Sequence, residues 1–141
     1  MARVKLNIPE NTLAVVKIPV RITDINYGNH LGNDALISIV HEARVQWLKQ
    51  YNYTELNIEG AGLIMSDLAV EYKAESFYGD ILSIKISAAE ISTVSFELYY
   101  HIFNQYNKEI AKAKTGMVCY NYDLKKVAPV PKELVAVLQT T

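Results

Sequence analysis

The segment that decides the fold spans residues 20–48 and reads VRITDINYGNHLGNDALISIVHEARVQWL. Apolar residues at alternate positions predict a strand over about residues 14–24, which leads into this segment. The strand is followed by a polar loop that contains Gly28 and Gly32, and the loop opens into a helical pattern over about residues 33–51. The segment therefore predicts a strand, a loop and a long helix in direct succession.

The predicted helix is apolar over most of its circumference. Its apolar side chains recur at steps of three and four residues: Leu36, Ile37, Val40, Ala43, Trp47 and Leu48. Such a helix is heavily buried, so we expect a sheet to wrap around it. Asn33 is expected to be the N-cap, with Asp34 in the positively charged first turn. Backbone N–H groups at this helix start can polarise a carbonyl.

The rest of the chain predicts an antiparallel sheet. A two-residue period predicts four further strands, at about residues 68–74, 82–88, 94–102 and 110–120. Short turns between consecutive strands favour antiparallel pairing, and two prolines introduce a short helix at 131–139. The expected class is α+β, with a sheet of about five strands around one long central helix. An open sheet edge also predicts a homo-oligomer.

Composition indicates an ordinary globular protein. The 141 residues are 50% hydrophobic with a net charge of −1, which predicts a single domain over residues 1–141. Without a basic excess, neither nucleic acid nor an anionic membrane is expected as a partner. Because there is no signal-like start and no membrane-length apolar run, we expect a cytoplasmic location. One cysteine, Cys119, and scattered histidines predict no disulfide, no metal site and no cofactor.

Polar residues are concentrated where the loop meets the helix. Asp24, Asn26, His30 and Asn33 are candidates for chemistry, although a loop entering a helix is ordinarily rich in turn formers and caps. That ordinary explanation accounts only partly for Asp24, because this carboxylate is predicted at the end of an apolar strand.

Glu42 is the second candidate carboxylate. On a heavily buried helix it is expected to be partly buried, which would raise its pKa towards the range useful for a general base. The alternative is a salt bridge to Arg44 or Lys49. His41 points about a hundred degrees away around the helix, so we interpret it as structural.

Two motifs extend across most of the chain. The first is Arg21-x-x-Asp24-x-Asn26-x-x-x-His30-x-x-Asn33, followed by Glu42-Ala43-Arg44. The second is Val70-Glu71-Tyr72-Lys73-x-x-x-Phe77-Tyr78-Gly79-Asp80. In this order and spacing, they resemble the motifs of the hotdog-fold acyl-CoA thioesterases of the 4-hydroxybenzoyl-CoA thioesterase-like family.

The resemblance implies a hotdog fold, with dimers or tetramers that have active sites at the subunit interface. An acyl-CoA thioester carbonyl would lie over the helix start, where a carboxylate activates water or attacks directly. The implied oxyanion donors come from the loop residues Tyr27, Gly28, Leu31 and Gly32. The implied substrate contacts are Leu63 and Met65 for the acyl group and Lys73, Phe77 and Tyr78 for CoA.

The sequence departs from the family pattern at Asn26, which replaces an aspartate that is often the catalytic carboxylate. An amide cannot act as a base, so we favour Glu42 as the base, with Asn26 orienting water or substrate. Asp24 is the alternative base, while His30 and Asn33 complete the catalytic group. The leading hypothesis is an acyl-CoA thioesterase, and the alternative is a non-catalytic hotdog protein that binds acyl-CoA or an acyl carrier.

Overall fold

The computed structural model describes residues 2–140, and six strands and two helices follow one another within that range. Their bounds are β1 Ala14–Pro19, α1 Asn33–Lys49, β2 Gly62–Tyr72, β3 Ile81–Ala89, β4 Ser95–Phe103, β5 Glu109–Asn121, β6 Lys126–Val127 and α2 Lys132–Leu138. The predicted α+β order is confirmed, with the short β6 in addition to the five predicted strands. The predicted domain extends to Met1 and Thr141, which lie outside the described residues.

The strands form one antiparallel sheet in the order β1-β3-β4-β5-β2, and β6 pairs with β5. The sheet packs one face against α1. On β4, every second side chain is fully buried on that face: Phe96, Leu98, Tyr100 and Ile102. Trp47 and Leu48 of α1 belong to the same apolar core. Because β1 and β2 are the two edges, β2 keeps one side free of strand pairing within residues 2–140.

Three local predictions beside the loop are wrong. β1 ends at Pro19 rather than at residue 24, because residues 22–24 form a 3-10 turn. The N-cap is Gly32, and Asn33 is already helical. The helix is also less heavily buried than predicted: Ser38, Glu42 and Gln46 are exposed, since the sheet covers only one side of α1.

Several turns place residues other than glycine in the left-handed backbone region. Within residues 2–140, these residues are Asn29, Asn52, Glu59, Glu90, Asn107 and Lys125. The last three lie in the connections between β3 and β4, β4 and β5, and β5 and β6. Tight hairpin connections require this conformation, so the sheet topology imposes it on these side chains.

A buried polar network fixes α1 to the sheet. The Arg44 side chain is only 7% exposed and donates to Glu55 Oε2 at 2.7 Å. The Arg44 guanidinium also donates to the Tyr100 hydroxyl at 3.2 Å, which lies 2.9 Å from the Thr115 hydroxyl. His41 Nε2 contacts the other Glu55 oxygen at 2.6 Å. His41 and Arg44 therefore both hold the loop that carries Glu55, and the structural role predicted for His41 is supported.

This network predicts an acid-sensitive contribution to stability. Burial alone would raise the pKa of Glu55, but hydrogen bonds from Arg44 and His41 outweigh burial and hold that pKa below its ordinary value of 4.5. A lowered native pKa stabilises the fold above the ordinary value, and this contribution is lost as the pH falls through the native pKa. We therefore expect the free energy of unfolding to fall below about pH 4.5 more steeply in the wild type than in Glu55→Gln. The difference in slope is at most about 1.4 kcal/mol per pH unit for one proton.

Urea denaturation at several pH values between about 3 and 6 measures these slopes, since the span brackets an ordinary glutamate titration. Equal slopes for the wild type and Glu55→Gln would contradict the prediction. Glu133→Gln, an exposed substitution on α2, is the matched control and should keep the wild-type slope.

Candidate active site

Internal hydrogen bonds hold the loop before α1 in place. The Gly32 N–H donates to the Asp24 carbonyl at 3.0 Å, and the Leu31 N–H donates to the Ser76 carbonyl at 2.8 Å. The Asn26 side-chain oxygen accepts the N–H groups of Gly28 at 2.9 Å and His30 at 3.4 Å. The Asn26 oxygen therefore organises the loop, and its role in orienting water or substrate stays a prediction.

Asn29, the residue before His30, has a backbone conformation that few side chains adopt. Asn29 has a φ of 67°, in the left-handed region that glycine adopts freely. Asparagine tolerates this region better than most side chains. The loop thus keeps the same kind of backbone turn that a glycine would provide.

Three of the four predicted oxyanion donors of the loop are already engaged. The backbone N–H groups of Gly28, Leu31 and Gly32 each donate to an acceptor within the protein, so these predicted donors are wrong. The Tyr27 side chain is fully exposed, and no contact ties it to the site within residues 2–140.

Free donors begin one residue later, at the start of α1. Gly32 provides no capping side chain, and the first helical hydrogen bond runs from the Leu36 N–H to the Gly32 carbonyl. The N–H groups of Asn33, Asp34 and Ala35 have no acceptor among the described residues. They form the positive end of the helix dipole.

Asn33, the first of these donors, lines a groove of about 270 Å³, which we call the helix-start groove. It lies between the first turn of α1 and the end of β2, and its lining includes His30, Gly32, Asn33, Tyr72, Lys73 and Glu75. The Tyr72 hydroxyl donates to the Asn33 carbonyl at 3.0 Å. His30 Nε2 lies 3.7 Å from Glu75 Oε1, while Lys73 Nζ lies 2.7 Å from Glu71 Oε2.

The two candidate carboxylates line a different groove on the exposed side of α1. This groove, the carboxylate groove, has a volume of about 400 Å³ and is lined by Ile18, Pro19, Arg21, Asp24, Ser38, Ile39, Glu42 and Gln46. Within one chain, the predicted catalytic group is therefore divided: His30 and Asn33 border the helix-start groove, whereas Asp24 and Glu42 border the carboxylate groove.

Asp24 and Glu42 have different environments in that groove. Asp24 is buried and accepts the Arg21 N–H at 2.8 Å and the Arg21 guanidinium at 3.4 Å. Glu42 is exposed and accepts a hydrogen bond from Gln46 at 2.8 Å. The predicted partial burial of Glu42 is wrong, as is its alternative salt bridge to Arg44, which pairs with Glu55. The Asp24 carboxylate is thus occupied by hydrogen bonds within the loop, while the Glu42 carboxylate is accessible to solvent.

The predicted substrate contacts are also dispersed. Leu63 is buried in the apolar core and Met65 is 45% exposed on β2, and neither lines the helix-start groove. Their assignment to an acyl pocket therefore stays a prediction. Phe77 and Tyr78 are exposed on the turn before β3. Lys73, directly after β2, lines the helix-start groove.

Asp80 shapes the turn that presents these aromatic side chains. Its carboxylate accepts the Ser76 hydroxyl at 2.8 Å and the Phe77 N–H at 3.0 Å. Gly79 has a φ of 85°, which a side chain would strain. The Gly79-Asp80 pair of the second motif therefore has a structural role here.

No role was predicted for Tyr72, Glu75 or Ser76, although all three line the helix-start groove. Tyr72 is part of the second motif, so the sequence could have singled it out. Its contact with the helix start could not be predicted, because that contact joins residues far apart in the chain.

Within the described residues, no three His, Cys, Asp or Glu side chains group to hold a metal ion. The helices of that same part of the chain are too short or too polar to span a membrane.

Comparison with known proteins identifies a matching family and similar proteins. Residues 20–138 match the sequence model of the thioesterase-like superfamily. A 1,4-dihydroxy-2-naphthoyl-CoA hydrolase of Acaryochloris marina (strain MBIC 11017) is 35% identical over 72 residues, which cover 50% of this chain and 53% of that protein.

Two solved structures share the fold. A 1,4-dihydroxy-2-naphthoyl-CoA thioesterase from Synechocystis is 21% identical, with a TM-score of 0.80 and coverage of 88% of this chain and 93% of that chain. A gentisyl-coenzyme A thioesterase is also 21% identical, with a TM-score of 0.78 and coverage of 89% and 99%. The predicted hotdog fold is confirmed.

Proposed function

As a member of the thioesterase-like superfamily, this chain is a thioester hydrolase, and we propose that it cleaves an acyl-CoA to a free acid and CoA. The observation that carries the proposal is the uncapped start of α1, where Asn33 has a free N–H group and lines the helix-start groove. A thioester carbonyl bound there would meet donors that stabilise negative charge on its oxygen.

The proposed reaction uses water as the nucleophile. Glu42 takes a proton from water as the water oxygen attacks the thioester carbon, and the carbonyl electron pair moves onto its oxygen. The N–H groups of Asn33, Asp34 and Ala35 stabilise this oxyanion. The carbonyl then re-forms, the carbon–sulfur bond breaks, and the thiolate of CoA leaves and takes up a proton.

Because the two grooves are separate in one chain, a site that combines Glu42 with the helix start needs a second copy. We propose that two chains pair so that Glu42 of one chain faces the helix-start groove of the other. The unpaired edge of β2 supports this arrangement, because Ile64 and Met65 are exposed on this strand. An open, partly apolar edge is a surface on which a second strand can pair.

Met65→Lys tests this pairing. A charge on the β2 edge is expected to convert a dimer to a monomer and to lower thioesterase activity at least about tenfold, because burying an unpaired charge disfavours association. Light scattering after size exclusion measures the mass, and circular dichroism checks the fold. Val4→Lys, an equally exposed apolar position on the N-terminal segment, is the control and should remain dimeric and active. A wild-type monomer with full activity would contradict the proposal.

Release of free thiol from a panel of acyl-CoA thioesters tests the proposed function. The panel should include hydroxyaromatic acyl-CoA thioesters, because all three of the similar proteins described above are named for such substrates. We expect at least one thioester to be cleaved well above the buffer rate. If no member of the panel is cleaved, the proposed function is wrong.

A further inference from the structure

Tyr72 connects the end of β2 to the first turn of α1 across the helix-start groove. Its hydroxyl donates to the Asn33 carbonyl at 3.0 Å, although the two residues are 39 positions apart in the sequence. The Tyr72 ring is about half exposed and lines the groove beside the helix start. Since Gly32 provides no cap, this hydroxyl is the side-chain group that holds the first turn in the described residues.

The contact acts on one particular peptide unit. The carbonyl of Asn33 and the N–H of Asp34 belong to the same planar peptide, whose resonance couples the two groups. A hydrogen bond donated to the carbonyl oxygen draws electron density towards that oxygen, so the N–H of the same peptide becomes a stronger donor. The Asp34 N–H is one of the free donors of the first turn and follows directly after Asn33, which lines the groove.

We propose that Tyr72 is a positioning residue for thioester hydrolysis, whose hydroxyl orients and polarises the Asn33–Asp34 peptide so that the Asp34 N–H stabilises the oxyanion. This inference rests on the proposed function. The hydroxyl proton is committed to the Asn33 carbonyl, so Tyr72 acts through the backbone and not by direct donation to the substrate.

The environment of Tyr72 keeps its hydroxyl in the donating form. Burial raises the pKa of Tyr72 above its ordinary value, and the negative charge of Asp34 raises it further. The hydroxyl is therefore protonated at neutral and mildly alkaline pH. Phenylalanine at this position would keep the ring and remove only the donor, which isolates the effect of the hydrogen bond.

Tyr72→Phe is the kinetic test. We expect kcat to fall roughly three- to tenfold, less than the loss of a whole oxyanion donor, because the Asp34 N–H remains but is weaker and less well placed. The KM should stay within about twofold, since the effect is confined to the transition state. The melting temperature should change by no more than about 2 °C, because the residue is half exposed. Tyr106→Phe, exposed on the β4–β5 turn, is the matched control and should leave all three values unchanged.

A second measurement needs no substrate. The amide proton of Asp34, followed in a ¹H–¹⁵N correlation spectrum, should shift upfield in Tyr72→Phe and not in Tyr106→Phe, because the peptide loses its polarising hydrogen bond. An unchanged Asp34 resonance or an unchanged kcat overturns the role of Tyr72. Failure of the wild type to cleave any thioester would instead refute the proposed function, and the Asp34 resonance would still decide whether Tyr72 polarises the peptide.

Discussion

Replacement of Glu42 by glutamine is expected to lower kcat by about 10²- to 10⁴-fold, the range that a general base contributes. Glutamine has nearly the same shape and can still bond to Gln46, but it cannot accept a proton from water. Because Glu42 is exposed in the single chain, the substitution should leave the fold and its stability close to the wild type. Steady-state kinetics with the best acyl-CoA of the panel, together with a thermal melt, measures both quantities.

Asp24→Asn separates the two candidate bases. Asp24 is buried and accepts hydrogen bonds from the Arg21 backbone and guanidinium, so its replacement should lower thermal stability as well as activity. Glu133→Gln, exposed on α2, is the control for removing one surface carboxylate and should behave as the wild type. If Glu42→Gln keeps its kcat while Asp24→Asn loses it without a change in melting temperature, Asp24 is the base and our assignment is wrong.

Arg44→Ala is expected to destabilise the fold by about 3 kcal/mol, at the lower end of the range for breaking a buried ion pair because Glu55 keeps some solvent contact. The substitution leaves Glu55 without its 2.7 Å partner and leaves the buried Tyr100 hydroxyl with Thr115 alone. It also removes an apolar stem that packs between α1 and the sheet. Chemical denaturation of the variant against the wild type measures the loss.

Two further variants apportion that loss. Arg44→Met keeps a long apolar side chain, so it should be less destabilising than alanine. Combining Arg44→Met with Glu55→Gln removes both charges and should recover part of the loss, because no carboxylate is then left unpaired. Lys49→Ala, exposed on the same helix, is expected to change stability by less than about 0.5 kcal/mol. A loss below about 1 kcal/mol for Arg44→Ala would show that the network is not important for stability.

The fold could be predicted because its determinants are local and periodic. The two-residue alternation of β4 and the three- and four-residue steps of α1 follow directly from which side chains face the core. The start of α1 was predicted within one residue. The end of β1 was not, because the alternation continues to Ile22 while the backbone has already entered a 3-10 turn.

The candidate site was only partly predictable because its contacts depend on tertiary packing. The helical period shows that α1 has an apolar side, but it does not show how much of the circumference the sheet will cover. For this reason the exposure of Glu42 was missed. Likewise, Arg44 pairs with Glu55, which lies on the loop after the helix, and Tyr72 at the end of β2 donates to the Asn33 carbonyl. These partners are set by the arrangement of elements rather than by sequence spacing.

The turns that contain left-handed residues are places where substitutions can stabilise this protein. Glu59, Glu90 and Lys125 have φ values of 50°, 52° and 52°, although their side chains are not suited to that region. Each such residue costs roughly 1 kcal/mol relative to an unstrained backbone, and glycine or asparagine would relieve much of that cost. None of the three borders the helix-start or the carboxylate groove. An engineered heat-resistant form can therefore be sought in these surface turns while the core and both grooves keep their natural residues.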